Sequence, residues 1–129
     1  MMNLLIDIGN SSAKVAISEN KKIIEDFRFV ELDTDKILDI INEYKIQNSA
    51  LSNVSTNNEK LKKILTENTS FYSFSNEIRI PFNCSYKLTD VGDDRVALMA
   101  AAHYDFPTDN VLVIDMGTRI TYDIKTSNN

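Results

Sequence analysis

Two stretches near opposite ends of the chain, LLIDIGNSSAKVAI (residues 4–17) and VLVIDMGTRITYDI (residues 111–124), align at one constant offset, with Ile6 over Ile114, Asp7 over Asp115 and Gly9 over Gly117. Internal similarity of this kind is a single pair of copies rather than an array, and it implies two half-molecules that each open on a strand, a turn and a strand. In both copies an apolar run delivers a carboxylate to its C-terminal end. A small polar turn follows, Gly9-Asn10-Ser11 in the first and Gly117-Thr118 in the second.

Between the copies the hydrophobic period changes several times. Residues 3–9, 13–18 and 23–30 are rich in branched and aromatic side chains and separated by Gly-Asn-Ser-Ser and Glu-Asn-Lys-Lys, which predicts three strands in a meander. Ile37, Leu38, Ile40, Ile41 and Tyr44 follow the spacing of an amphipathic helix over residues 35–44, with Asp33 or Thr34 as its cap. Residues 49–54 return to strand. Thr56-Asn57-Asn58-Glu59 has the form of a capping box ahead of Leu61, Ile64 and Leu65, which predicts a second helix to Glu67.

Residues 71–74 read as another short strand. After a loop through Ile80-Pro81-Phe82, a third helix is expected over residues 93–104, with Val96, Ala97, Ala100 and Tyr104 on one face and Pro107 closing it off. The last hairpin pairs residues 111–115 with 120–125. Strands that alternate with helices after a meander imply an α/β fold, a mixed sheet with helical cover.

The chain has 129 residues, 43% of them hydrophobic, enough for one ordinary core. Its 14 basic and 19 acidic side chains give a net charge of −5, which offers no basic footprint for nucleic acid or an anionic membrane. No apolar run is long enough to span a bilayer and no secretory signal is visible, so a cytoplasmic protein is expected. With one cysteine, Cys84, and one histidine, His103, neither a disulfide nor a zinc cage can form internally. Cys84 reads as a packing or surface residue and His103 as a structural or surface one.

The repeated hairpin carries the chemistry. Backbone N–H groups and hydroxyls in a glycine-bearing turn can receive phosphate oxygens. Asp7 and Asp115 would repel a nucleotide unless a divalent cation lay between them, so the pattern fits Mg·ATP. Asp, Asn and Gly dominate turns in any case, and one copy alone would read as a plain hairpin turn. Two copies at matching positions, each with a hydroxyl, favour the phosphate reading. Lys14 could reach a phosphate from the second strand or be a solvated edge lysine.

The segment YKLTDVGDDRVALMAAAHY lies between the copies, and Gly92-Asp93-Asp94-Arg95 opens the third helix. Asp93 reads as the cap. Asp94 could accept a hydroxyl proton while Arg95 holds an anionic substrate, a division of labour that suits phosphoryl transfer to an alcohol, although aspartate at a helix start is also common for capping alone.

Taken together, Asp7-Ile8-Gly9-Asn10-Ser11 with Lys14, then Tyr86, Gly92-Asp93-Asp94-Arg95, and finally Asp115-Met116-Gly117-Thr118 with Thr121 resemble, in order, the motifs of type III pantothenate kinase. The resemblance implies the actin-like ATPase superfamily, with two ribonuclease H-like domains, residues 1–108 forming the first and 109–129 the first hairpin of the second. It implies phosphorylation of pantothenate by ATP, with Mg²⁺, a monovalent cation (K⁺ or NH₄⁺) and a homodimer. By position, Asp7, Gly9, Asn10, Ser11 and Lys14 would line the first phosphate loop and Gly117 and Thr118 the second. Asp7 and Asp115 would hold the metal, Asp94 would be the base, and Tyr86, Gly92 and Arg95 would meet pantothenate.

Ser11 stands where the family more often has threonine, Arg119 where it has a small residue, and the proline that usually lies between the tyrosine and the Gly-x-Asp-Arg motif is absent. Members are longer, so the resemblance implies an N-terminal half. The alternatives are a non-catalytic binding or transcription-accessory module of the same family, and a sugar kinase of the same superfamily.

Overall fold

The computed structural model describes residues 1–53, 58–73 and 79–127. The chain divides into two compact units, Met1–Phe74 and Ser75–Asn129, and each is described by itself.

The first unit opens with the expected meander, β1 (Met2–Ile8), β2 (Ala13–Glu19) and β3 (Lys22–Phe29), followed by α1 (Thr34–Glu43), β4 (Asn48–Asn53), α2 (Glu59–Asn68) and β5 (Ser70–Ser73). Its sheet has the order β3-β2-β1-β4-β5. The β1–β2 and β2–β3 pairs are antiparallel, and β1–β4 and β4–β5 are parallel. The two parallel pairs follow from the helices, because a strand that returns parallel needs a crossover long enough to hold one.

Strand alternation sends Leu4, Ile6, Val15, Ile17 and Leu51 to one face. There they form a single core with Ile37, Ile40 and Ile41 of α1 and with Leu61 and Leu65 of α2. The opposite face keeps the polar residues Asp7, Lys14 and Ser52.

Local chemistry fixes the ends. Asp33 caps α1, its side chain accepting from the Asp35 N–H at 2.9 Å. At the other end Lys45 takes a left-handed φ of 51°, and the Ile46 N–H bonds the Ile41 carbonyl at 3.0 Å, a Schellman closure whose two isoleucines both enter the core. Asn20 and Lys21 both have positive φ, which matches a two-residue turn joining β2 and β3. The N-cap of α2 is Asn58, with no side-chain capping bond; Thr56 and Asn57 of the expected capping box, and Val54 and Phe74 of the expected strands, lie outside the described residues.

In the second unit a short 3-10 turn, Leu88–Asp90, precedes α3 (Asp93–Asp105), and β6 (Val111–Met116) pairs antiparallel with β7 (Ile120–Lys125). Two expectations change here. The N-cap of α3 is Gly92, and Asp93 is the first helical residue instead. Of the expected face of α3 Val96 is buried as expected, but Tyr104 is exposed and Ala102, outside that face, is buried instead. The alanine-rich run offers little contrast between faces, so periodicity could not choose between them. Lys125 is buried, its ammonium donating to the carbonyls of Pro107 and Asp109 at 3.2 and 2.9 Å, and so ties the loop after α3 to β7.

Candidate active site

In the first unit the C-terminal end of β1 brings Asp7 between two neighbours, opposite Lys14 on β2 and Ser52 on β4. Ser52 Oγ donates to Asp7 Oδ1 at 3.1 Å, and Lys14 Nζ lies 4.0 Å from Oδ2. A half-exposed carboxylate with one hydrogen bond and one loose ion pair keeps lone pairs for a cation. Among the described residues no cluster of three acidic, histidine or cysteine groups could hold a metal. A divalent ion beside Asp7 would therefore draw most of its shell from phosphate and water, as Mg²⁺ commonly does.

The turn Gly9-Asn10-Ser11-Ser12 is closed by its own backbone, the Gly9 N–H donating to the Ser12 carbonyl at 3.1 Å. The equivalent turn in the second unit closes the same way, Gly117 N–H to Arg119 carbonyl at 3.2 Å. The two glycine N–H groups are thus spent within the turns, and any phosphate would meet the N–H groups and hydroxyls of the residues that follow. Neither glycine has a positive φ, and a Cβ would meet nothing nearer than 3.5 Å at Gly9 and 3.9 Å at Gly117. Nothing inside the chain demands glycine at these two positions, which leaves room for an outside group to approach.

Gly92 differs. A Cβ there would fall 2.5 Å from Asp94 Oδ1, so its absence makes space for that carboxylate. Asp94 Oδ1 accepts the Arg95 backbone N–H at 2.8 Å, and among the described residues Oδ2 has no partner and can accept a proton.

Arg95 makes a forked pair with Asp123 on β7, Nε to Oδ2 at 2.9 Å and Nη2 to Oδ1 at 2.5 Å, both side chains partly buried. That hydrogen bonding raises the guanidinium pKa above its already high ordinary value, against an opposing effect of burial. Because paired residues share a face, Asp115, Thr121 and Asp123 project to the side of the hairpin where α3 brings Arg95. A cavity of about 330 Å³ in this unit is lined by Tyr86, Arg95, Met99, Tyr122 and Asp123.

The sequence of the chain matches the model of the family described as Type III pantothenate kinase over residues 3–129. The chain belongs to that family. It is 36% identical over 128 residues to the type III pantothenate kinase of Christiangramia forsetii, covering 97% of this chain and 53% of that protein. It is 33% identical over 124 residues to that of Azobacteroides pseudotrichonymphae (95% and 51% covered) and 36% identical over 125 residues to that of Phocaeicola vulgatus (95% and 51%). The chain thus spans about half the length of the curated relatives it matches.

Among solved structures it is similar in fold to the Aquifex aeolicus Ppx/GppA phosphatase, with TM-score 0.52 at 15% identity, covering 100% of this chain and 49% of that one. The fold is the expected α/β one, a mixed five-stranded sheet with helical cover.

Of the residues the sequence singles out, Asp7, Gly9, Asn10, Ser11 and Lys14 fall in the first unit and Tyr86, Gly92, Asp94, Arg95, Asp115, Gly117 and Thr118 in the second.

Two partners were not legible beforehand. Ser52 reaches Asp7 only through the parallel β1–β4 register, which no local pattern reports. Asp123 sits in the Thr-Tyr-Asp run after the second turn, and a polar residue alternating with Tyr122 and Ile124 was the available sign. Cys84 is exposed and lines the same cavity, and His103 packs its ring 6.0 Å from Phe82, its Nδ1 buried and without a hydrogen-bond partner among the described residues.

Proposed function

We propose that these residues form the N-terminal half of an ATP-dependent kinase that phosphorylates pantothenate to 4'-phosphopantothenate, the first step of coenzyme A biosynthesis. The observation that supports the reading is in the second unit, where Arg95, next to Asp94 at the start of α3, forks onto Asp123 on the face of the second hairpin that also carries Asp115. The hydroxyl oxygen of pantothenate attacks the γ-phosphorus, the bond from that phosphorus to the β–γ bridging oxygen breaks, and ADP leaves. The hydroxyl proton passes to Asp94.

Arg95, locked by Asp123, and Tyr86 hold the acceptor, with Gly92 leaving space for the Asp94 carboxylate. Asn10, Ser11 and Lys14 on one turn and Thr118 on the other receive the phosphates, and Gly9 and Gly117 leave room for their approach. Mg²⁺, held through Asp7 and Asp115, supplies charge neutralisation when bound. Such transfers pass through a loose transition state, so positioning and neutralisation contribute more than proton removal.

A monovalent cation, K⁺ or NH₄⁺, a homodimer and a cytoplasmic location complete the proposal. No helix among the described residues is long and apolar enough to cross a membrane.

The test is pantothenate-dependent ADP formation by the protein expressed from its own uninterrupted gene. Asp94→Asn is expected to lower turnover by about 10²–10⁴-fold with an unchanged circular dichroism spectrum. Full activity in that variant would overturn the assigned base. Phosphorylation of a sugar with pantothenate ignored would overturn the substrate.

A further inference from the structure

We propose that Arg28 is an additional phosphate-binding residue of the first turn, acting with Lys14 on the polyphosphate of a nucleoside triphosphate; the inference rests on reading that turn as a phosphate site. Arg28 lies on the edge strand β3, opposite Lys14, which lies opposite Asp7, which lies opposite Ser52. Cross-strand partners share a face, so the four side chains form one row over four adjacent strands on the polar side of the sheet. The row thus places two neighbouring cations, Arg28 and Lys14, beside the turn, in a chain whose net charge is −5.

The guanidinium is tethered to that turn. Its Nε donates to Ser12 Oγ at 3.2 Å, and Ser12 is the residue whose carbonyl closes the turn onto Gly9. Among the described residues its remaining N–H groups have no acceptor and no carboxylate lies within ion-pairing distance, although Glu25 and Asp26 are close by in sequence. Glu25 is engaged by the Tyr44 hydroxyl. An arginine that only guarded an open edge would gain nothing from spending one donor on a turn hydroxyl. Fixing Nε there presents the planar fork of Nη groups as a ready pair of donors, the geometry that suits phosphate oxygens.

The test uses the 129-residue chain, with inorganic triphosphate and Mg²⁺ as the probe, followed by calorimetry and by the Arg28 Nε–H and Ser12 amide resonances. Triphosphate is expected to shift both resonances. Arg28→Ala should weaken binding by about tenfold, the value of one good charge-assisted contact. Arg28→Lys should recover part of the loss, and Ser12→Ala should weaken binding less than Arg28→Ala.

Lys22→Ala, which removes the same charge from the far end of the same strand, should change affinity little. Equal effects of Arg28→Ala and Lys22→Ala, with Lys14→Ala still damaging, would overturn the role of Arg28 and leave the turn a phosphate site. No response of the wild-type chain to triphosphate would overturn the phosphate reading of the turn, and the inference with it.

Discussion

The two hairpins share a sequence pattern and differ in what covers it. In the first, Leu4, Ile6, Val15 and Ile17 are at most 3% exposed beneath α1 and α2. At the matching places in the second, Leu112, Ile114, Tyr122 and Ile124 are at least 50% exposed. The helix of the second unit instead lies on the other side, against Asp123. An alternating strand thus chooses its apolar face locally, while the burial of that face depends on which elements the rest of the fold supplies. The bare face is a row of six apolar side chains, which suits amphipathic cover like that of α1 and α2, and the relatives are about twice as long as this chain.

The largest contrast should come from truncating matched core positions. Leu4→Ala or Ile17→Ala should cost about 2–5 kcal/mol in urea unfolding of the 129-residue chain, whereas Leu112→Ala or Ile124→Ala should change stability by no more than about 0.5 kcal/mol. Equal costs would mean that the second face is covered after all. Next in size is Asp123→Ala, which leaves Arg95 partly buried without its acceptor. We expect a loss of about 1–3 kcal/mol, seen as faster hydrogen exchange in α3 and β7. The matching position of the first hairpin, Ala16, has no such partner, and Ala16→Ser should have no comparable effect.

Glycine separates the hairpins from the helix start more finely. Gly92→Ala should cost less than about 1 kcal/mol, since the crowded atom is the tip of a flexible carboxylate, yet it should lower turnover by displacing Asp94. Gly9→Ala and Gly117→Ala should leave stability nearly unchanged and weaken Mg·ATP binding in the intact protein. Loss of folding in either would show that the chain itself needs those glycines.

The smallest effect belongs to Tyr44. Its hydrogen bond to Glu25 raises the phenol pKa from 10.0 to about 12. The protonated form is the one favoured by folding, so this small contribution is intact below pH 10 and is lost as pH rises towards 12. Ultraviolet titration should show one tyrosine ionising late, and Tyr44→Phe should abolish it.

Much of this fold can be read from local chemistry. The spacing of Ile37, Ile40 and Ile41 and the cap at Asp33 locate α1 to within a residue, because period and cap agree. The meander is legible for the same reason, since turn residues bound each strand. What could not be read depends on register between distant strands. The row from Arg28 through Lys14 and Asp7 to Ser52 needs three separate pairings, one of them disturbed by a bulge between Ile17 and Ser18. Likewise Arg95 finds Asp123 only once α3 lies on the hairpin, and no spacing along the chain announces that contact.

The proposal that matters most is that the two glycine turns receive the phosphates of Mg·ATP. Replacing Mg²⁺ with Mn²⁺ in the protein expressed from its own gene, in the presence of ATP, would broaden amide resonances near the ion. The account predicts broadening at Asp7–Ser11 and at Asp115–Thr118. Broadening elsewhere with these turns unaffected would contradict it.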